Sequence, residues 1–329
     1  MIVVEGVSKY YGRNPAVRDL SFSIEEGECV GFLGLNGAGK STTLRMLSCL
    51  LLPTSGAIRV GGFDAEREPH EIRKLIGYLP DSPPLYPEMR VDEYLRFAGR
   101  LRRMSGKEVT ARLPKVLEQT GLEDVADAAI ETLSHGYKQR VGIAQAVIHA
   151  PKLLILDEPV QGLDPVQIVE MRELIRSLRG DHTILLSSHL LAEIERTCDR
   201  ILILKEGRIF ASGTEAEVLS QLAAQPSTSY RVSARPHWAL VEVRGTEAQV
   251  REALGAGDLS IVDLTRDASG VCRLKVQSSS DPRELVAKLL VQAGLGLLGL
   301  SRTQSALEDV FVMLGQDDDA DAAEAEVEA

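Results

Sequence analysis

The sequence predicts an α/β core followed by a smaller α+β unit, and three observations carry that expectation. Short apolar runs alternate with stretches of helical periodicity from the start of the chain to about Leu222. A glycine-rich turn, Gly34-Leu-Asn-Gly-Ala-Gly-Lys-Ser41, joins one compact apolar run to the helical stretch after it. The run Ala223-Ala-Gln-Pro-Ser-Thr228 then breaks the composition, and the pattern beyond it changes.

Taken in order, residues 29–33 read as a strand entering the glycine turn. Residues 42–52 read as a helix, with Leu44, Leu47 and Leu51 at helical spacing and Pro53 and Gly56 as its stop. The stretch 90–150 is mostly helical in pattern. Residues 153–156 and 183–186 are continuous apolar runs, expected of strands buried on both faces. Thr214 and Glu217 form a T-x-x-E capping box that opens the last helix of this domain. Past a linker at 223–228, residues 239–244 read as a strand and 247–254 as a helix. Two strands follow at 259–265 and 271–277. Asp281, Pro282 and Glu284 cap a further helix with proline at its first position. A fourth strand at 297–303 and a closing helix at 306–314 complete a β-α-β-β-α-β order. The expected division is 1–222, a linker, an accessory domain at 229–315, and an acidic tail at 316–329.

Composition narrows the classes. The 329 residues are enough for a full core plus a second small domain, and 44% hydrophobic with 26% charged is ordinary for a soluble protein. The net charge is −11, and seven acidic residues between Asp317 and Ala329 supply most of it; without them the body stands at −4. A tail of that kind reads as disordered and solvating. A mildly acidic body argues against broad nucleic-acid binding, so no nucleic-acid partner is expected. Cys29, Cys49, Cys198 and Cys272 stand singly, without a CxxC pair. Cys29 and Cys49 lie in apolar segments, where a buried reduced thiol is the default. The opening MIVVEGVSKYYG lacks the basic-then-apolar layout of a secretory signal. No apolar run approaches the roughly 18–20 residues of a membrane span, and the nearest, at 289–300, is interrupted by three glycines. Any membrane role is therefore expected to run through partners.

The turn at 34–41 matches G-x-x-x-x-G-K-[ST] between a predicted strand and a predicted helix, the context that motif requires. Gly34, Gly37 and Gly39 let the backbone curl so that successive N–H groups of Leu35, Asn36 and Ala38 face a phosphate, and the helix beyond adds its positive end. Lys40 can reach the β- and γ-phosphates of a nucleoside triphosphate, and the Ser41 hydroxyl, beside Thr42, can hold Mg²⁺.

Further motifs follow in fixed order, and together they resemble the ABC ATPase family over residues 1–222. Leu133-Ser-His-Gly-Tyr-Lys-Gln-Arg140 resembles the family's signature, and Leu153-Leu-Ile-Leu-Asp-Glu-Pro159 resembles its Walker B strand. Gly162-Leu-Asp-Pro165 is similar to the D-loop and His189 to the switch histidine. The fold implied is a P-loop NTPase of ABC type, a mixed-sheet core plus a helical subdomain. Within the family, Ile76-Gly-Tyr-Leu-Pro80, Gln145-Ala-Val-Ile-His149 and Leu307-Glu-Asp-Val-Phe311 are similar to ABC-2 type exporters, especially gliding-motility-associated subunits.

The resemblance implies ATP and Mg²⁺ as cofactors and assigns roles. Asp157 supports Mg²⁺ and Glu158 acts as general base toward the attacking water, although an adjacent acidic pair at a strand end is ordinarily a solvated turn. His189 meets the γ-phosphate instead of serving as a core histidine. Tyr11 stacks on adenine, with Tyr10 as a near-equal candidate. Ser134 and Gly136 open a helix whose serine would ordinarily be only an N-cap. In the family that helix start, with the D-loop Asp164, completes the site of an opposite subunit.

Two departures stand out. Asp81 occupies the Q-loop glutamine's place; a carboxylate there can approach Mg²⁺ or water but cannot donate as an amide does. His135 and Tyr137 replace a glycine and the glutamine of the signature. The stiff run Pro83-Pro-Leu-Tyr-Pro87 lies where the family contacts its permease. The implied partners are ABC-2 type permease subunits and a second copy of this chain or a related nucleotide-binding subunit. The implied location is cytoplasmic, peripheral on the inner face of the membrane. Two other classes were weighed: a soluble ABC ATPase acting on nucleic acid or ribosomes, and a catalytically idle interaction protein. The first usually carries coiled-coil insertions or a second nucleotide domain, and the intact Lys40, Asp157, Glu158 and His189 speak against the second.

Overall fold

The computed structural model describes residues 1–223, 237–255, 259–267, 270–278 and 280–302. They fall into two compact units, one running from Met1 to Val218 and the other opening at Leu219.

The first unit begins with an antiparallel hairpin, β1 (Ile2–Tyr11) and β2 (Asn14–Ile24). Then come β3 (Cys29–Gly34), α1 (Lys40–Leu47), β4 (Ser55–Val60), β5 (Phe63–Asp64), α2 (Pro69–Leu75) and β6 (Ile76–Leu79). A helical region follows: α3 (Val91–Leu101), α4 (Gly106–Thr120) and α5 (His135–Val147). The chain returns through β7 (Leu153–Asp157), α6 (Pro165–Ser177), β8 (Thr183–Ser188) and α7 (Leu191–Thr197). It ends with β9 (Arg200–Lys205), β10 (Arg208–Gly213) and α8 (Glu215–Ala223).

Two sheets result. One is four-stranded and antiparallel, ordered β2-β1-β4-β5; the other is six-stranded, ordered β10-β9-β3-β8-β7-β6. Ile2, Val4 and Val7 of β1 and Val17, Leu20 and Ile24 of β2 face a shared core with Val30 and Phe32 of β3 and Leu44 and Leu47 of α1. In the six-stranded sheet every residue of β3, β7 and β8 is buried, the mark of parallel strands covered on both faces. β3, β8 and β7 are adjacent and parallel, so their carboxyl ends open along one edge. That edge is where a parallel α/β sheet binds its ligand. The helical region attaches through α5, which lies against β6 so closely that a Cβ on Gly77 would fall 2.2 Å from the Ala146 carbonyl oxygen.

The expected helix at 42–52 is corrected at both ends. It starts at Lys40, inside the glycine turn, and stops at Leu47. The Ser48 hydroxyl bonds back to the Leu44 carbonyl at 2.9 Å and Cys49 adopts φ +55°, so the chain leaves the helix before the leucines run out. The capping box of α8 forms as read, Thr214 N–H meeting Glu217 Oε2 at 2.8 Å. The division between units falls within α8, slightly earlier than the expected residue 222. The four-stranded sheet was not anticipated as a separate layer.

The second unit runs β11 (His237–Arg244), α9 (Glu247–Leu254), β12 (Ser260–Arg266), β13 (Val271–Ser278), α10 (Arg283–Gln292) and β14 (Gly296–Arg302), the expected order. Its sheet is ordered β12-β13-β11-β14 with every neighbouring pair antiparallel. Ala239, Val241 and Val243 alternate with exposed residues and pack on Val250 and Leu254 of α9 and Val286 and Leu290 of α10. α10 starts one residue later than read: Pro282 sits at the cap, and Asp281 Oδ1 accepts from the Arg283 N–H at 3.1 Å. The expected strand residue Thr303, the closing helix at 306–314, the acidic tail and linker residues 224–228 lie outside the described residues.

Candidate active site

The glycine turn bridges β3 and α1, and its backbone explains its composition. Gly37 and Gly39 sit at φ +85° and +100°, left-handed values that side chains resist. A Cβ on Gly39 would lie 2.5 Å from the Ala16 carbonyl oxygen, so only glycine lets the loop close onto β2. Leu35, Asn36, Gly37, Gly39, Lys40, Ser41 and Thr42 all line a cleft of about 450 Å³. Ala38 does not: it is buried, and its N–H returns to the Leu35 carbonyl at 3.2 Å. The Gly34 carbonyl accepts from Lys40 Nζ at 2.6 Å. The first turn of α1 carries N–H groups with no intrahelical partner, a ready anion site.

The far wall comes from the ends of β7 and β8. Asp157 and Glu158 follow Leu156, and His189 follows Ser188, as the strand order requires. Lys40 Nζ lies 3.7 Å from Glu158 Oε1. Burial holds the Lys40 ammonium below the usual lysine range, with the charges of Glu158 and Asp157 opposing that shift. Burial also raises the Asp157 carboxyl, and hydrogen bonds from Ser187 and Ser41 pull it back. Ser41 Oγ stands 3.5 Å from Asp157 Oδ1, so two hard oxygen donors sit side by side. His189 Nδ1 lies 2.7 Å from Glu158 Oε2, and the His189 N–H reaches the same oxygen at 3.3 Å. An ionised carboxylate only accepts, so Nδ1 carries the proton of that bond. Asp81 lines this cleft as well.

The structure does not bring every expected residue here. Ser134, Gly136 and Asp164 line a separate cavity of about 310 Å³. Ser134 Oγ caps α5 by accepting from the Tyr137 N–H at 3.4 Å. Asp164 Oδ1 caps α6, accepting from Val166 and Gln167 N–H groups at 3.0 and 2.9 Å. Tyr11 ends β1 half exposed, with Lys9 Nζ over its ring at 5.7 Å, and is absent from the cleft wall; Ala16 stands there instead. Three residues of the site, Ala16, Gln161 and Ser187, were not foreseen from the sequence. Gln161 lines the cleft, and its carbonyl accepts from or faces His135 Nε2 at 3.0 Å. Ser187 Oγ bonds both Asp157 and Glu158, and the signal for it was a pair of hydroxyls closing β8.

An α/β sheet with a phosphate loop, an acidic pair and a histidine at adjacent strand ends defines a nucleoside-triphosphate hydrolase. The comparisons name its family. Residues 17–161 match the ABC transporter family model. The linearmycin resistance ATP-binding protein LnrL of Bacillus subtilis (strain 168) is 35% identical over 319 residues, 95% of this chain and 98% of that protein. The Nod factor export ATP-binding protein I of Rhizobium meliloti (strain 1021) is 37% identical over 319 residues, 95% of this chain and 87% of that protein. Among solved structures, the ATP-binding cassette MJ0796, a dimer in a post-hydrolysis state with ADP and Pi, matches with TM-score 0.60 and 27% identity. That match covers 65% of this chain and 98% of the cassette. The chain belongs to the ATP-binding proteins of ABC transporters, and it is an ATPase coupled to transport.

Proposed function

We propose that this chain is the ATP-hydrolysing subunit of an ABC-2 type exporter, working as a head-to-tail pair on separate permease subunits. The carrying observation is that the phosphate-loop cleft and the signature helix α5 line two different cavities with no lining residue in common. Each copy thus presents half a site, and Ser134, Gly136 and Asp164 of one copy face the triphosphate held by another. The names of the relatives, one for linearmycin resistance and one for Nod factor export, support the outward direction.

In this reading Lys40 and the loop N–H groups bind the β- and γ-phosphates, while Tyr11 or Tyr10 meets the adenine. Mg²⁺, when bound, would neutralise charge on the transferred phosphoryl group, and Ser41, Asp157 and Asp81 are the residues that would hold it. The paired oxygens of Ser41 and Asp157 suit such an ion. Among the described residues no cluster of three His, Cys, Asp or Glu side chains could cage a metal, so phosphate and water oxygens would complete its shell. Glu158 takes the proton of the attacking water, and His189 fixes the carboxylate that does so.

Docking to the permease falls on the helical side of the unit. A cleft of about 470 Å³ is lined by Arg73, Lys74, Arg102 and Arg103 together with the exposed Leu50 and Leu101, and no carboxylate lines it. Its chemistry suits an acidic, partly apolar segment of the permease; the run from Pro83 to Pro87, the other docking surface, lines a separate cavity. No described helix is long and apolar enough to cross a membrane. The chain accordingly sits on the inner face of the membrane through that contact, with residues 229–315 as an accessory domain.

Mixing two inactive variants tests the shared site. Lys40→Ala and Ser134→Glu should each abolish turnover, and their mixture should recover about a quarter to a half of wild-type activity, since one of the two mixed sites is intact. No recovery, with both variants folded and assembled with the permease, removes the shared site. Co-purification with ribosomes or DNA in place of a multi-span membrane protein would instead favour a soluble ABC ATPase.

A further inference from the structure

β8 closes with two serines that do different things. Ser188 Oγ accepts from the Leu190 N–H at 2.9 Å and shapes the turn after the strand. Ser187 points elsewhere. It is fully buried, paired with Asp157 on β7 and with Phe32 on β3. Its Oγ lies 2.6 Å from Asp157 Oδ1 and 3.0 Å from the Glu158 backbone nitrogen. A hydroxyl has one proton, and an ionised carboxylate can only accept, so the chain of donation is fixed. The Glu158 N–H donates to Ser187 Oγ, and Ser187 O–H donates to Asp157. The Ser187 carbonyl also faces the Glu158 N–H, at 3.2 Å.

Glu158 needs such an anchor. It holds φ +50°, a left-handed value that non-glycine residues resist. With that turn in place its carboxylate stands 2.7 Å from His189 Nδ1 and 3.7 Å from Lys40 Nζ.

We propose that Ser187 is a positioning residue for hydrolysis: one buried hydroxyl ties the metal-side carboxylate of Asp157 to the backbone that aims the base Glu158. The inference rests on the roles given to Asp157 and Glu158 above. Removal of the hydroxyl leaves Asp157 Oδ1 with Ser41 Oγ at 3.5 Å and leaves the Glu158 N–H with the longer carbonyl contact. The phosphate loop is untouched. The effect therefore falls on the metal-dependent step and on turnover, and metal-free nucleotide affinity stays as it was.

The full-length Ser187→Ala variant tests this with a fluorescent ATP analogue titrated first in EDTA and then in Mg²⁺, alongside turnover with the permease. Affinity in EDTA should stay within about twofold of wild type. The gain in affinity on adding Mg²⁺ should shrink about three- to tenfold, and kcat should fall about 10- to 100-fold with KM within about threefold, as loss of alignment predicts. Ser187→Thr, which keeps the hydroxyl, should recover part of the Mg²⁺ gain if it folds. A full Mg²⁺ gain with kcat within twofold of wild type overturns the proposal. So does an equal loss of affinity with and without Mg²⁺, the mark of a residue that only fills space. Glu158→Gln measured in parallel separates the two levels. If it hydrolyses ATP normally, the assignment of the base fails; if it is inactive while Ser187→Ala is not, only the role of Ser187 fails.

Discussion

The two units of this chain treat polar residues in opposite ways. In the first, Lys40, Gln139, Asp157, Glu158, Arg172, Ser187 and Glu193 are all buried; in the second, Ser278 is the single buried polar residue among those described. The first unit also contains six non-glycine residues at positive φ, Glu158 among them, while positive φ in the described part of the second is confined to glycine. Burying a polar group without a partner costs about 1–3 kcal/mol, and strained backbone adds to that. Such features persist where chemistry requires them. The second unit is built by plain alternation of apolar and polar positions, with its core on one face of a sheet. The contrast separates the unit that holds the phosphate-loop cleft from one whose described residues follow plain apolar–polar alternation.

The largest expected effect lies in the first unit. Glu158→Gln should keep ATP binding and lower kcat at least about 100-fold in a steady-state phosphate-release assay, the scale of a lost general base. Arg273→Ala, an exposed residue of β13 paired with Glu242, should change kcat by less than about twofold. A large loss from Arg273→Ala would break the contrast at once.

The buried ion pair of Arg172 and Glu193 comes next. Arg172 Nη2 meets Glu193 Oε1 at 2.7 Å and Nε meets Oε2 at 3.0 Å, linking α6 to α7, the helices that follow Glu158 and His189 in the chain. Arg172→Ala strands a buried carboxylate and should cost about 3–5 kcal/mol in denaturant unfolding. The double change Arg172→Met with Glu193→Leu should recover most of that. A single-variant loss below about 1 kcal/mol would show the pair to be dispensable.

Leu274→Ala sharpens the comparison from the other side. It cuts a cavity into the second unit's core and should destabilise that unit by about 2–3 kcal/mol. ATP affinity and the unfolding of the first unit should not move. A shift in nucleotide affinity would mean the units are coupled.

The last effect is a pH dependence, and it develops gradually across the acid range. His149 sits half-buried with Nε2 at 3.1 Å from the Ile76 carbonyl and Nδ1 buried without a partner. Burial pushes its pKa down to about 4, helped by the positive Arg102 and, more weakly, His182 and Arg112, against the Ile76 bond, which raises it. The unfolded chain then binds the extra proton at higher pH than the folded one. Its contribution is present in full above about pH 6.5 and is lost as pH falls toward 4. The loss is on the order of 3 kcal/mol by pH 4, and His149→Gln should flatten that part of a stability profile measured by chemical unfolding between pH 4 and 7.5. An unchanged slope in the variant would assign the acid sensitivity to other groups.

Much of the fold was legible because it is written in local pattern. The apolar runs at 153–156 and 183–186 became fully buried strands, and the Thr214–Glu217 box opened α8 as read. The β-α-β-β-α-β order of the second unit followed from alternation and caps. The helix after the phosphate loop was misjudged because leucine spacing continues past the point where Ser48 bonds back and Cys49 turns left-handed. The adenine contact given to Tyr11 rests on resemblance alone; the fold adds that its ring is exposed at a strand end beside Lys9.

By itself the sequence determined which groups could handle a triphosphate, because the glycine spacing, lysine and acidic pair are dictated by backbone geometry and charge. Only the tertiary structure decided which of them meet. Strand order places the ends of β3, β8 and β7 side by side, so residues more than a hundred positions apart close on one cleft, while Ser134 and Asp164 cap helices at another. The Ser187 hydroxyl belongs to that second kind of knowledge: parallel register sets it opposite Asp157, and sequence spacing carries no record of register between strands.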